Sequence, residues 1–236
     1  MKKILLALMC IPFTVLCACG SLTTIEEAKS PIITSKKDPY SFVIKAYYSF
    51  EQNFEFYRDT LFDKEDELKR ILARNFKMLP EYAFFNLWER MHYGASRNLQ
   101  YAFYETDNQG TQALLLGADG ALFDVYVIQN GIAVQQELFL GDQGPTMLFK
   151  TGTIRTVTGY DGPLLFSYYR FEDGVLKFQV DLYDDEGEYY RTDNKDGWQE
   201  KLISKEEFDR LQKEYEGDGQ EVQLDWKPLA EYGKEE

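Results

Sequence analysis

Cysteine is nearly missing from this chain: three occur in 236 residues, at Cys10, Cys17 and Cys19, and none follows. Beyond residue 19 the sequence therefore excludes disulfides, thiolate nucleophiles and cysteine-ligated metals. Histidine is scarcer still. His92 stands alone, which rules out a His-rich metal cluster, and no G-x-S-x-G elbow accompanies it as the nucleophile of a triad. His92 reads as an ordinary helix residue rather than a catalytic one. Neither G-x-x-x-x-G-K-[ST] nor G-x-G-x-x-G occurs, so Gly141, Gly144 and Gly152 serve turns and not phosphates. No cofactor is implied. Positive charge is also short, with 26 basic against 40 acidic residues and a formal charge of −14. Such a chain is a poor partner for nucleic acid or anionic headgroups. Its acidity reads first as solubility, and second as a patch for cations or basic partners.

What is present begins with a secretory leader. Lys2 and Lys3 form a positive start, residues 4–16 an almost uncharged apolar run, and small residues follow. The run is too short for a stable span, which needs about 20 apolar residues. No second run in the sequence reaches that length. Leu16-Cys17-Ala18-Cys19 resembles the bacterial lipobox, with leucine three positions before the critical cysteine. The resemblance implies that a diacylglycerol is transferred to the Cys19 sulfur and that cleavage follows just before it. The competing reading is an ordinary cleaved signal that happens to contain cysteines. Against it stands the placement of all three, since Cys10 and Cys17 fall in the discarded segment and Cys19 is the acceptor. Two acyl chains at ~0.8 kcal/mol per buried methylene make a firm anchor where one chain does not. Cleavage would also remove two positive charges and make the remainder more acidic. The expected partner is thus a membrane, reached through the lipid on Cys19, with the domain on the extracytoplasmic side.

The rest divides into a tether over residues 19–37, a helical region over 38–98, a β-meander with a C-terminal helix over 99–217, and an acidic tail over 218–236. Residues 1–18 are the signal peptide. Asp38-Pro39 suits a helix start. Val43, Tyr47, Phe50, Phe54 and Tyr57 then recur at three- and four-residue steps on one helix face. Leu68, Ile71, Leu72 and Phe76 suggest a second helix, capped by Asp63 and ended by Pro80. Phe84, Leu87, Trp88 and Met91 suggest a third. Strands are expected over residues 100–104, 112–116, 121–129, 132–140, 147–150, 153–160, 164–171 and 175–183. Asp119-Gly120, Asn130-Gly131, Asp161-Gly162 and Asp173-Gly174 supply turns. Ser204 with Glu207 forms a capping-box signature ahead of Phe208, Leu211 and Tyr215, and Gly217 is a stop. The tail after Trp226 is expected to be loosely held. The fold class is α+β: N-terminal helices on one antiparallel β-meander sheet, with a capped C-terminal helix.

One loop carries a pointed pattern, Glu105-Thr106-Asp107-Asn108-Gln109-Gly110-Thr111-Gln112-Ala113. Residues 101–117 and 123–131 resemble a family of Gram-positive lipoproteins of unknown function that carry a D-x-D-G-N-G-x-x-E-L loop between two strands. That resemblance implies an oxygen-ligand loop of calcium-binding type. In this chain Glu105 replaces the first aspartate, Asp107 remains, Gln109 is neutral, and Ala113 stands where the closing acid belongs. Glu105, Asp107 and Gln109 are therefore expected to make a structural hairpin loop, with any metal binding weak.

Aromatic residues invite a sugar-binding reading, through Trp88, Trp198, Trp226 and the Tyr168-Tyr169 and Tyr189-Tyr190 pairs. In each pair one ring is expected to face the core and the other solvent. The sequence as a whole favours a non-enzymatic, membrane-anchored binding or interaction module. The alternative is a cell-envelope hydrolase using carboxylates, which needs two acids facing each other across a cleft.

Overall fold

The computed structural model describes residues 38–55, 70, 98–107, 109–138, 146–159, 163–193 and 200–234. Cys19, His92, Trp88 and Trp198 lie outside them. So do the second and third expected helices, apart from Arg70, which is helical.

Helix α1 spans Ser41–Gln52 and buries Val43, Ile44, Tyr47 and Phe50, the stripe that the spacing predicts. It starts two residues later than Asp38-Pro39 suggests. Tyr40 occupies the N-cap without a side-chain bond, and Asp38 Oδ1 instead accepts from the Tyr40 N–H at 3.2 Å. A capless start is tolerable because the burial of large apolar side chains, about 1.5–3 kcal/mol each, outweighs one missing cap of ~1 kcal/mol.

The single sheet expected from the meander is in fact two antiparallel sheets. Strands β1 (Leu99–Glu105), β2 (Gln112–Ala118), β3 (Ala121–Gln129) and β4 (Ile132–Gln135) follow one another in the first, and β11 (Lys227–Pro228) joins its β1 edge. The second sheet runs, from one edge to the other, β10 (Lys201–Ile203), β9 (Glu188–Thr192), β8 (Val175–Asp185), β7 (Leu164–Glu172), β6 (Thr153–Thr158) and β5 (Met147–Leu148). Helix α2 spans Lys205–Glu216.

Three cores explain the split. Tyr40, Val43, Ile44, Tyr47, Phe50 and Phe54 share one with Leu99, Tyr101, Leu114, Leu116 and Tyr126 on one face of the first sheet. Ala113, Leu115, Val125 and Val127 on its other face meet Leu148, Ile154, Tyr169, Phe171 and Leu176 of the second sheet. Tyr168, Val180 and Leu182 on the far face of that sheet join Phe208, Leu211 and Tyr215 of α2. Strands covered on both faces read as unbroken apolar runs, as in the Ala113-Leu114-Leu115-Leu116 stretch of β2. The same covering corrects the expectation for Tyr168-Tyr169. Both rings are buried, at 0% and 2% exposure, because each face of β7 has a core. Tyr189 packs on Phe208 with ring centres 4.8 Å apart, and the Tyr190 hydroxyl donates to Glu188.

Two bulges redirect apolar residues between cores. In β3, Leu116 pairs with Asp124 and Gly117 with Leu122, so Phe123 is the extra residue. Leu122 then faces the second sheet, while Phe123 joins the α1 core. In β8, Tyr168 pairs with Val180 and Tyr169 with Phe178, which leaves Gln179 without a partner in β7. Leu176 and Phe178 consequently face the first sheet, and Val180 and Leu182 face α2.

The tail is not loosely held. Lys227 pairs with Tyr101 and Pro228 with Gln100, a 3₁₀ turn follows at Leu229–Glu231, and Leu229 is buried in the α1 core. Among the described residues no helix is long and apolar enough to cross a membrane.

Candidate functional site

The motif loop is held by its own side chains. Asp107 Oδ1 accepts from the Gln109 N–H at 2.8 Å and from the Thr111 N–H at 3.0 Å. These bonds lower the Asp107 carboxyl below its ordinary value, the Thr111 contacts contributing most. Gly110 supplies a positive φ of 82° where the loop turns back. Asp107 thus uses Oδ1 to hold the turn, and Glu105 and Gln109 are exposed. Among the described residues no group of three or more His, Cys, Asp or Glu stands close enough to hold a metal ion.

A buried polar cluster lies under α1. Asp124 shares the α1-facing side of β3 with Tyr126, and its Oδ2 accepts a short hydrogen bond from the Tyr47 hydroxyl. Gln135 Nε2 donates to its other oxygen at 2.6 Å, and the Tyr47 and Tyr126 hydroxyls are 3.0 Å apart. Burial raises the Asp124 carboxyl to about 7, against the opposing effect of the bonds from Gln135 and Tyr47. Tyr47 and Tyr126 are pushed well above the ordinary phenol value, burial again being the main cause. A carboxyl with such a shift in a cleft would be a catalytic candidate. Here Asp124 is 5% exposed and Tyr47 0%, so these two groups lie under the helix and hold α1 to β3.

Among the described residues a groove of about 420 Å³ opens where the first sheet's β1 edge meets the segment before α1 and the segment around β11. Its aromatic wall is a row of rings. Tyr232 meets Tyr101 edge-on at 5.3 Å, Tyr101 meets Phe103 at 5.9 Å, and Phe103 meets Tyr40 at 5.8 Å. Phe103 is 40% exposed, unusual for a phenylalanine on a core-facing strand position. The polar rim is acidic: Asp38, Asp225 and Glu231 line the groove together with Lys227.

The walls are tied across the chain's length. The Tyr232 hydroxyl donates a short hydrogen bond to Asp38 Oδ2, and the Tyr40 hydroxyl donates to the Gln112 carbonyl at 2.6 Å. Burial lifts the Tyr40 phenol to about 12 and raises that of Tyr232, where the Asp38 bond adds to the effect. Both remain protonated donors at physiological pH. Lined by both rings and carboxylates, the groove suits a ligand that is part apolar and part cationic.

Of the residues singled out in the sequence, none of the motif loop lines this groove, and Trp226 packs over Gly117 instead of standing as a platform. A Cβ at Gly117 would lie 2.7 Å from that indole. The sequence reading missed Tyr101, Phe103 and Tyr232. The one available signal was Phe103 itself, an aromatic near the end of an expected strand ahead of a polar loop. No protein-family model matches the chain, and no curated protein and no solved structure matches it either.

Proposed function

We propose that this chain is a lipoprotein of the extracytoplasmic membrane face, anchored through Cys19, whose folded part is a non-enzymatic binding module. The observation that carries the binding half is the groove, with the exposed Phe103 ring and three carboxylates at its rim. The Leu16-Cys17-Ala18-Cys19 sequence supports the anchor half. A tether over residues 19–37 would let that module stand off the membrane. The likeness of residues 101–117 and 123–131 to Gram-positive lipoproteins favours the outer face of a single-membrane cell.

The anchor is tested by mass spectrometry and membrane fractionation of the native chain beside Cys19→Ala. The native chain should carry diacylglycerol and sediment with membranes, and the variant should do neither. Equal sedimentation with no lipid on either would end the lipoprotein reading. The groove is tested by crosslinking to envelope fractions. Phe103→Ala, a change at a partly exposed ring, should abolish retention of envelope material that the native chain holds. Equal retention by both would remove the groove from the proposal.

A further inference from the structure

The groove runs along a sheet edge that is only half closed. In the first hairpin the Thr106 N–H donates to the Thr111 carbonyl at 2.8 Å. Ladder alternation then directs the N–H and C=O groups of Tyr104, Ala102 and Gln100 toward β2, and those of Leu99, Tyr101, Phe103 and Glu105 outward. The outward groups at the start of β1 are occupied. Glu51 accepts from the Leu99 N–H at 2.8 Å, and Tyr101 pairs with Lys227. Phe103 and Glu105 have no such partner among the described residues.

The reason lies in β11. If its register ran on, Asp225 and Gln223 would stand opposite Phe103 and Glu105. The chain leaves that line instead. Val222, Leu224 and Trp226 pack on the core between the sheets, and the Val222 N–H donates to the Leu148 carbonyl at 2.8 Å. At the other end Pro228 has no N–H to extend the ladder. Among the described residues no strand pairs with β1 in the lane beside Phe103 and Glu105. Open edges of this kind are templates for another chain.

Resting on the binding-module reading above, we infer that the β1 edge at Phe103 and Glu105 takes up an extended segment of a basic partner protein as an added strand. Backbone bonds to the two residues supply affinity that does not depend on sequence. Specificity comes from alternate side chains, apolar ones against the rings of Phe103 and Tyr101, basic ones toward Asp225, Glu231 and Glu105. The charge of the lane selects the occupant. A second copy of this chain would bring the same acids against themselves, whereas a lysine- or arginine-rich strand is complementary to them.

The test uses the full chain in detergent and three short synthetic peptides: alternating lysine and valine, the same peptide N-methylated at alternate amides, and alternating glutamate and valine. NMR-detected hydrogen exchange is read at the Phe103 and Glu105 amides. The lysine–valine peptide should slow both by at least about tenfold, and the other two should not. Asp225→Asn with Glu231→Gln, both exposed, should weaken the lysine–valine peptide several-fold. Equal binding of the N-methylated peptide would overturn strand addition. So would protection that appears with protein concentration alone, since the occupant would then be a second copy. If envelope material is still retained through Phe103 while the peptide leaves both amides unprotected, strand addition is wrong and the binding module stands. Loss of both results removes both.

Discussion

At the scale of single residues, Asp124 has the largest consequence for solution behaviour. Its folded carboxyl is raised to about 7 by burial, above the ordinary value of 3.8. The native state therefore holds a proton that the unfolded chain releases between those values. Stability is fully present below the lower one and falls as pH rises through the upper, by at most ~1.4 kcal/mol per pH unit. Denaturant midpoints should be higher near pH ~5 than near pH ~8, and Asp124→Asn should flatten most of that difference. An unchanged pH slope in the variant would show that other groups set it. Nothing in the sequence marks Asp124 for this role. It sits in the run Ala121-Leu122-Phe123-Asp124-Val125-Tyr126, where strict alternation would put Leu122, Asp124 and Tyr126 together. Asp124 and Tyr126 do share the α1 face, but the bulge at Phe123 sends Leu122 to the other core, and bulges depend on pairing with a strand elsewhere, so they leave no local signature.

At the scale of elements, the two described helices are held differently. Helix α2 has what α1 lacks: the Ser204 hydroxyl accepts from the Glu207 N–H at 3.2 Å, Glu206 and Glu207 stand in the first turn, and Gly217 closes the end with φ 63°. Its last turn is fastened to the second sheet, where Glu216 Oε1 accepts from Arg155 at 2.8 Å and from the Tyr168 hydroxyl at 2.6 Å. Ser204→Ala should cost ~1 kcal/mol in equilibrium unfolding, with the helix retained by circular dichroism. A loss below a few tenths would mean that the cap is redundant with the Glu216 contacts. This helix was readable because its signals are all local. So were the turns Asp119-Gly120, Asn130-Gly131 and Asp173-Gly174, each with two positive φ angles. Glu186-Gly187 adopts the same conformation, yet glutamate gives no such hint, and β9 beyond it went unread. In β8 the i, i+2 series Leu176, Phe178, Val180, Leu182 reads as one face. The Gln179 bulge divides it between two cores.

At the scale of the whole molecule, the layers were only partly legible. Composition and turn spacing point to antiparallel sheet with helices, but nothing short-range says that the meander breaks after β4 and folds back on itself. The groove was least legible of all. It joins Asp38, Tyr101 and Tyr232, and the Asp38–Tyr232 bond spans 194 positions. Removing residues 218–236 should take away β11, leave a void where Leu229 sits, uncover Trp226's place over Gly117 and bare the β1 edge. A loss of at least ~3 kcal/mol in denaturant unfolding, with aggregation in size-exclusion chromatography, is expected. A monodisperse chain of unchanged midpoint would show the tail to be dispensable. The Asp38–Tyr232 bond also sets an order of events. Strand pairs β2–β3 and β7–β8 form from neighbouring sequence as soon as it is made, whereas the groove's two walls meet only after residue 232 has emerged. The groove is thus closed only by joining the two ends of the described chain, whatever has folded between them.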